Sequence, residues 1–420
     1  MTDTGRAARL TELRAQYAGQ LAVGSVVLVL SMLAFVRIPL LPELGDDLSM
    51  SAADLGLMTT IFAVGRLCAD IPAGRLSDLS SASRMLGGAA ALLGVASLAL
   101  ALAQVSAVVL VAAFFLGVSS ATVNTTGMVY FAEHATTERR GRSMAGFSAA
   151  LLGGQAFGPA LGGVLAAWWG WRAALVISAA IAMVVAAAAV LRSLRRRRTT
   201  TRAEPDEPAL PPVPHGLPLR EQAILYSVPF VMFFTFGSMP QTLVPIIGAD
   251  DLHLDVGVIG LLLGVGGACK FIGAMVGGTI SDRVSRKAAL IPALLGQAAG
   301  VALLAVEGTL WAWVAALIIM SLASFAIGVA ATMLVDRTHG RRAGRRLGPY
   351  RFAGDLGLIA GPITASLVYE HWGQRPAALL VAGVVLACAL ASILGLRETR
   401  WLDESSPPRP RMAGLSGEEQ

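Results

Sequence analysis

Six ionisable residues lie inside long apolar stretches of this sequence, where a charged side chain is unusual because it loses its hydration. They are Arg37, Arg66, Asp70, Lys270, Arg351 and Asp355. A carboxylate in apolar surroundings can exchange protons near neutral pH, and a buried cation can bind an anion. The residue types therefore indicate two kinds of chemistry, proton exchange and recognition of a charged ligand.

Asp355 and Asp70 are the predicted proton-exchanging groups. Asp355 ranks first because it lies about two turns inside the helix predicted for its segment. A second interpretation stays open for each carboxylate. Arg351 precedes Asp355 by four residues and Arg66 precedes Asp70 by four, so a cation on the same helix could neutralise each acid.

Ligand contacts are predicted from polar side chains within the apolar stretches. These residues are Arg37, Arg66, Asn124, Gln241 and Lys270. The three cations could attract an anionic ligand, or they could extend to lipid headgroups if they lie near helix ends. Because the surrounding residues are mostly Ala, Val, Leu, Met and Gly, an amphipathic or apolar ligand is favoured over a sugar.

The composition places these residues in a membrane. The chain has 420 residues, of which 55% are hydrophobic and 14% charged, with a mean hydropathy of +0.66. A soluble domain carries about 25% charged residues. Apolar runs of about twenty residues, each long enough to cross a hydrocarbon core of roughly 30 Å, recur without strand alternation. We predict an all-α membrane protein.

Twelve membrane spans are predicted, numbered 1 to 12 in chain order. They lie near residues 19–43, 53–75, 85–103, 107–131, 144–166, 172–192, 223–247, 256–278, 288–306, 309–333, 349–369 and 376–396. An Arg- and Pro-rich stretch interrupts them. The predicted organisation is a six-helix bundle over 1–192, a cytoplasmic linker over 193–222, a second six-helix bundle over 223–398 and a cytoplasmic tail over 399–420.

Most of the 33 Lys and Arg residues fall on one side of these spans, the side of the linker and of both termini. Basic loops stay in the cytoplasm, so we predict both termini to be cytoplasmic and the location to be the plasma membrane, or the inner membrane of a Gram-negative source. The net charge of +6 then reflects topology rather than nucleic-acid binding. No cofactor, metal or catalytic site is predicted.

The two halves repeat each other at a separation of 203 or 204 residues. Charged residues match as well as small ones, which chance similarity of two Gly- and Ala-rich segments does not explain. Gly56, Arg66, Gly74, Ser77 and Asp78 correspond to Gly260, Lys270, Gly278, Ser281 and Asp282, and further on Glu133, Gly154, Trp169-Gly170 and Arg172 correspond to Asp336, Gly357, Trp372-Gly373 and Arg375. The sequence therefore predicts a duplicated bundle.

Each half carries a loop motif after its second span. The first runs from Gly74 to Asp78 and on to Arg84, and the second has Gly278, Asp282-Arg283 and Arg286. These motifs resemble the loop signature of the major facilitator superfamily, Gly-x-x-x-Asp followed by basic residues. The first copy departs from it at Leu79 and Ser81, where the family usually has a basic residue and a glycine.

The resemblance implies a conformational latch on the cytoplasmic side. It implies that Asp78 caps the start of span 11 and Asp282 the start of span 5, and that Arg84 pairs with Glu133 and Arg286 with Asp336. The latch residues are thus Gly74, Asp78, Arg84, Glu133, Gly278, Asp282, Arg283, Arg286 and Asp336. The alternative interpretation is that these charges only fix the topology.

Span 5 contains a run of small residues that resembles the signature of the drug:proton antiporter branches of the superfamily. It comprises Gly154, Gly158, Pro159, Gly162 and Gly163, with Ala145 in place of the first glycine. A glycine face lets helices approach closely, and a proline permits a bend. Ordinary packing of small residues is the alternative.

The resemblance implies a secondary active transporter that exports small amphipathic molecules in exchange for protons by alternating access, working as a monomer in the bilayer. Two features argue against proton antiport: span 1 carries Arg37 instead of an acid, and Ala113 lies where many drug antiporters have an arginine. Proton-coupled uptake of a small, possibly anionic metabolite, and a non-transporting sensor on the same fold, are the alternative functions.

Overall fold

The structure is a computed structural model that describes residues 3–134, 140–195, 218–336 and 343–396. Every regular element in these residues is helical. Ten segments are long and apolar enough to cross a membrane, and one of them, Arg142–Arg192, has 51 residues and contains two crossings. With the 18-residue helix Arg286–Leu303, which begins with two cations, the described part of the chain contains twelve spans, as predicted.

The first bundle consists of spans 1 to 6. Span 1 is Asp3–Phe35, span 2 Ala52–Leu79, span 3 Ala82–Ala101 and span 4 Ser106–Glu133, while spans 5 and 6 share the helix Arg140–Arg195, which is divided at Gly170. A short helix, Leu41–Leu48, lies between spans 1 and 2. Spans 6 and 7 meet the predicted linker at one face of the molecule, called here the linker face.

The second bundle repeats this order. Span 7 is Leu219–Ser238, continued by a π-helical turn, Met239–Leu243, and the helix Val244–Asp250; span 8 is Val256–Arg283 and span 9 Arg286–Leu303. Span 10 consists of Leu310–Leu322, a 3-10 turn Ala323–Phe325 and Ala326–Asp336; span 11 is Ala343–Trp372 and span 12 Gln374–Gly395. Most of the predicted linker and the whole predicted tail lie outside the described residues.

Prolines set the differences from the predicted bounds. Span 1 was expected to reach residue 43, but its helix ends at Phe35, because Pro39 cannot supply the amide hydrogen that a continuing helix needs; Pro42 already lies in the first turn of the next helix, Leu41–Leu48. In span 7 the hydroxyl of Thr242 donates to the carbonyl of Gly237 at 2.9 Å. That bond stabilises the π-helical turn that contains Pro240.

The backbone confirms the repeat at its two helix breaks. Gly170 (φ 80°) separates spans 5 and 6, and Gly373 (φ 85°), 203 residues later, separates spans 11 and 12. A positive φ disfavours any residue with a Cβ atom, so glycine is required at both positions. Trp169 and Trp372 precede the two glycines in the same way.

Substituting alanine at Gly170 or Gly373 is expected to lower the free energy of unfolding by about 1 kcal/mol each. No atom lies within 4 Å of a Cβ at either site, so the loss would come from the backbone alone. Gly383, which has equally open space but lies within the helix of span 12, is the control: Gly383→Ala should be neutral or stabilising. Thermal unfolding in detergent compares the three variants.

Glycines also bring the central helices of each bundle together. Gly117 of span 4 lies against the backbone carbonyl of Phe62 in span 2, and Gly273 of span 8 lies against that of Leu322 in span 10. A side chain at either position would meet backbone atoms that cannot rotate away. Spans 2 and 8 are thereby fixed against spans 4 and 10, and this arrangement positions the charged residues of spans 2 and 8.

Candidate functional site

A cavity of about 670 Å³ lies between the two bundles. Its apolar lining includes Phe35, Ile38, Phe62, Phe233, Phe236, Leu263, Leu317 and Met320, and its polar lining includes Arg66, Asn124, Ser148, Gln155, Gln241, Lys270, Gln297, Ser321 and Ser324. It extends from Gln241, at mid-depth, to Asp282 and Arg286, at the ends of spans 8 and 9 on the linker face. The cavity therefore opens toward the linker face.

On the opposite face the bundles are joined. The amide of Ala53 donates to the carboxylate of Glu370 at 2.8 Å, and the hydroxyl of Thr60 donates to the carbonyl of Ile359 at 2.9 Å. These bonds link span 2 to span 11. A hydroxyl contact of 3.1 Å between Thr242 and Thr59 links span 7 to span 2.

Two repeat-related glycines form close contacts between the bundles on this face. A Cβ on Gly56 would lie 2.5 Å from Ser366 Oγ and 2.9 Å from the carbonyl oxygen of Pro362. A Cβ on Gly260 would lie 2.5 Å from the carbonyl oxygen of Pro159. These two contacts, Gly56 against span 11 and Gly260 against span 5, are called the seam. The two contacts of the seam are related to each other by the same repeat that relates the two halves of the sequence.

The inner end of the cavity, called its head, joins the bundles through a polar contact. Arg37 Nη2 donates to Gln241 Oε1 at 3.3 Å, and the two residues are 204 apart, which makes them repeat counterparts. Arg37 is 3% exposed. Its Nε and Nη1 have no hydrogen-bond partner among the described residues, and its guanidinium lies 4.3 Å from the ring centroid of Phe62.

Two further cations, Arg66 and Lys270, line the head and are also repeat counterparts. Arg66 Nη1 donates to Ser120 Oγ at 2.7 Å, while its buried Nε has no partner in the described part of the chain. The ammonium of Lys270 lies 4.2 Å from the ring centroid of Phe236. Of the five predicted ligand contacts, Arg66, Asn124, Gln241 and Lys270 line the cavity, and Arg37 lies directly behind it.

The two predicted proton-exchanging acids lie beside the head. Asp70 accepts a bond of 3.4 Å from Thr125 in span 4. Asp355 is half-buried and interacts electrostatically with Arg66 and Asp70 of span 2 and with Arg351 of its own span. Among the described residues, neither pair at four-residue spacing forms a salt bridge within 4.0 Å. Asp355 therefore acts across the interface between the bundles.

The structure places the latch residues at the linker face. Asp282 contacts Arg286, which also donates to Ser281 at 3.0 Å, and both charged residues line the mouth of the cavity, as does Gly278. Arg84 and Glu133 are exposed, and no ion pair joins them. Arg283 is exposed and Gly74 half-buried. The side chains of Asp78 and Asp336 lie outside the described residues, so the latch stays a prediction.

The glycines of span 5 have two different neighbours. Gly154 and Gly158 lie against the backbone carbonyls of Leu28 and Met32 in span 1, and Gly162 lies against that of Val36, the residue after the span. Gly163, one residue further round the helix, faces Val256 and Gly260 of span 8, where Pro159 also contributes its carbonyl to the seam. One side of the motif thus holds the first bundle together and the other side contacts the second bundle.

Sequence reasoning missed the aromatic wall of the head and four polar lining residues, one in the first bundle and three in the second. The missed residues are Phe35, Phe62, Phe233, Phe236, Gln155, Gln297, Ser321 and Ser324. When a phenylalanine has only apolar neighbours in the sequence, the sequence does not show whether its ring faces the cavity or the lipid. Gln155 and Gln297 did carry a signal, because a polar amide inside a membrane span needs a hydrogen-bond partner. In the structure, the Oε1 of Gln297 is buried without a hydrogen-bond partner among the described residues.

The described residues contain no group of three or more His, Cys, Asp or Glu that could hold a metal ion. The prediction of no metal site concerns the whole chain and is not tested by this observation.

Comparison with known proteins identifies the family. The model of the Major Facilitator Superfamily matches residues 23–250 and 230–416. Over 121 residues the chain is 27% identical to the multidrug resistance protein MdtG of Serratia proteamaculans (strain 568), covering 29% of each protein, and 26% identical to MdtG of Salmonella arizonae, covering 29% of this chain and 30% of the relative. The chain therefore matches less than a third of the length of these relatives.

Two solved structures share the fold across nearly the whole chain. A bacterial homolog of the human lysosomal transporter Spinster, inward-facing and unoccupied, has a TM-score of 0.76 at 15% identity, covering 90% of this chain and 96% of that one. A mutant of the nucleoside transporter NupG has a TM-score of 0.70 at 12% identity, covering 89% and 98%. With its duplicated six-helix bundles and central cavity, this chain belongs to the Major Facilitator Superfamily of membrane transporters.

Proposed function

We propose that the chain exports small amphipathic molecules from the cytoplasm in exchange for protons, by alternating access. The observation that carries this proposal is the cavity, which is open at the linker face, closed by the seam at the opposite face and lined by both apolar and charged residues. The similarity to MdtG supports export, although it covers only 29% of the chain. One chain encloses the whole cavity, which supports a monomer as the working unit.

Topology gives this conformation its direction. With the linker in the cytoplasm of the plasma membrane, as the distribution of Lys and Arg favours, the structure corresponds to the inward-open state. The outward-open state then requires the seam to separate and the linker face to close. Asp282 and Arg286, at the mouth, are positioned to take part in that closure.

Asp355 supports the link between protons and this movement. When it is ionised it attracts Arg66 of span 2 across the interface, and when it is protonated that attraction is lost. Spans 2 and 11 are also the helices that meet at Gly56. A proton on Asp355 therefore changes the interaction between two helices that must separate when the opposite face opens. Asp70, near the same cation, is the second candidate.

A second candidate function is proton-coupled uptake of a small anionic metabolite. The specific observation in its favour is the positive charge of the cavity, which Arg66 and Lys270 line and behind which Arg37 lies, bonded to the lining residue Gln241. Both candidates use the same cavity and the same acids. They differ in the charge of the ligand and in the direction in which it moves with respect to protons.

Counterflow in proteoliposomes tests the carrier function common to both. Liposomes loaded with one compound of a chemically broad panel should accumulate the labelled compound from outside, and an imposed pH gradient should increase accumulation in one orientation. Protein-free liposomes control for passive entry of each compound. If no compound accumulates at two pH values, the protein is not a carrier, and a sensor on the same fold is the better assignment.

A further inference from the structure

We propose that the head of the cavity binds the anionic group of the transported molecule, with Arg66 and Lys270 as its direct ligands and Arg37 as a third positive charge behind them. The ligand class is an amphipathic organic anion, such as a carboxylate or sulfonate attached to a ring or chain. The inference rests on the carrier function common to both candidates, and it favours the second.

Buried positive charge carries the argument. Three guanidinium nitrogens, Nε and Nη1 of Arg37 and Nε of Arg66, are buried without a partner among the described residues, and because they are closed off from the cavity they contribute charge rather than ligand contacts. The ammonium of Lys270 lies against a phenyl ring and forms no ion pair with a described residue. Buried cations are retained in membrane proteins where something compensates their charge, and a buried donor left unpaired is unfavourable.

The protein itself compensates only part of this charge, because Asp355 interacts with Arg66 but no described carboxylate forms an ion pair with Arg37 or Lys270. Asp282 is the one carboxylate among the lining residues, and it contacts Arg286 at the mouth. Asp70 and Asp355 lie to one side, near Arg66, and neither lines the cavity. An anionic ligand would therefore balance the positive charge of the head and accept hydrogen bonds from the cavity-lining cations, Arg66 and Lys270.

Geometry also supports a single shared ligand. Arg66 and Lys270 are repeat counterparts on opposite bundles, so they approach the head from its two walls. A guanidinium and an ammonium that act on one anion would connect the bundles only when the ligand is present. Substrate binding could in this way influence the movement of one bundle against the other.

The aromatic wall defines the rest of the ligand. Arg37 lies over Phe62 and Lys270 over Phe236, whose ring is 6.3 Å from that of Phe35. A ring or alkyl chain attached to the anionic group would contact these faces, replacing water by apolar surface. A cationic amphipath would fit the same wall but would be repelled by the head.

A charge series on one ring system tests the proposal. Binding of 1-naphthylacetate, its neutral amide and 1-naphthylethylamine is measured by calorimetry on the full chain in phosphatidylcholine nanodiscs. The anion should bind roughly ten- to a hundredfold more tightly than the amide, the range expected for one or two charge-assisted hydrogen bonds. The amine should bind more weakly than the amide.

The variants Arg66→Gln and Lys270→Gln should each remove most of this preference, and Lys270→Arg should keep it. Arg192→Gln, an exposed cation on the linker face, controls for general attraction of anions. Circular dichroism and size-exclusion profiles confirm that each variant is folded. Equal binding of the three probes, or a preference unchanged in both Gln variants, would overturn the proposal.

Two further outcomes separate the possible failures. If phosphatidylglycerol in the nanodiscs displaces naphthylacetate, the anion site is supported and a lipid is its source. If neutral amphipaths show counterflow and the wild-type protein shows no charge preference, the carrier function holds and the anion site is wrong. Tight anion binding without counterflow of any compound would support the site and contradict transport.

Discussion

Replacing Asp355 by asparagine is expected to abolish the effect of a proton gradient on accumulation while leaving counterflow at equal pH intact. Asparagine has nearly the same shape as aspartate but cannot release a proton. It therefore fixes the interface between spans 2 and 11 in its uncharged form, in which Arg66 loses one attractive partner. We expect at least a roughly tenfold loss of gradient-driven accumulation, the effect of about 1.4 kcal/mol.

The measurement compares accumulation of one transported compound with and without a pH gradient in the same proteoliposomes. Glu307→Gln removes an exposed carboxylate from the loop between spans 9 and 10 and should leave both values unchanged. Full proton-driven accumulation by Asp355→Asn would show that Asp355 is not the coupling group. The same experiment on Asp70→Asn then tests the second candidate.

The two candidate functions differ in whether the ligand and the protons move in the same direction or in opposite directions. A proton on Asp355 removes a competitor for Arg66, so an anion in the head and a proton on Asp355 stabilise each other. An anionic ligand would then move with protons, as uptake requires. Exchange requires that the binding of the ligand and the binding of the proton oppose each other. Electrostatics at this site produces that opposition only when the ligand is a cation. Addition of naphthylacetate outside protein-containing liposomes, in a medium without a pH gradient, should therefore acidify their interior faster than in protein-free liposomes, where only the neutral acid diffuses across the bilayer. Alkalinisation relative to the protein-free liposomes would favour exchange.

The sequence predicted the number of spans and the duplication because both depend on properties that are visible along the chain. Apolar length defines a span, and a cation such as Arg66 matched by Lys270 at the same separation defines a repeat. The predicted end of span 1 was wrong because hydropathy alone does not register that Pro39 removes an amide hydrogen.

The site was only partly predictable, for a physical reason. The rarity of charge in apolar segments identifies Arg37, Arg66 and Lys270, but not their relation to one another. Arg37 and Gln241 are repeat counterparts that differ in residue type, so a search for matching residues passes over the pair, although it joins the bundles at 3.3 Å. The orientation of phenylalanines depends on how the helices pack, which an apolar run does not encode.

Placing a side chain in the seam is expected to have the largest effect on conformation. A Cβ on Gly56 would meet Ser366 and Pro362, and one on Gly260 would meet the backbone of Pro159 and Gly163. Backbone atoms cannot rotate away, so Gly56→Val and Gly260→Val should destabilise the closed seam by about 1–3 kcal/mol or more. The population should shift roughly five- to more than a hundredfold toward the state in which the opposite face is open, and transport should fall accordingly.

The shift can be measured as a distance between spin labels on Asp47→Cys and Asp251→Cys, which lie on the opposite face in different bundles, after the three native cysteines are replaced. The distance should increase in both valine variants. Gly88→Val, where no atom lies within 4 Å of a Cβ, should leave distance and transport unchanged. Gly162→Val, which meets the backbone of Val36 within the first bundle, should lower thermal stability without lengthening the distance. If transport falls in Gly56→Val and Gly260→Val while the labels keep their wild-type separation, the seam is only a packing contact, and closure of the cavity must depend on other residues.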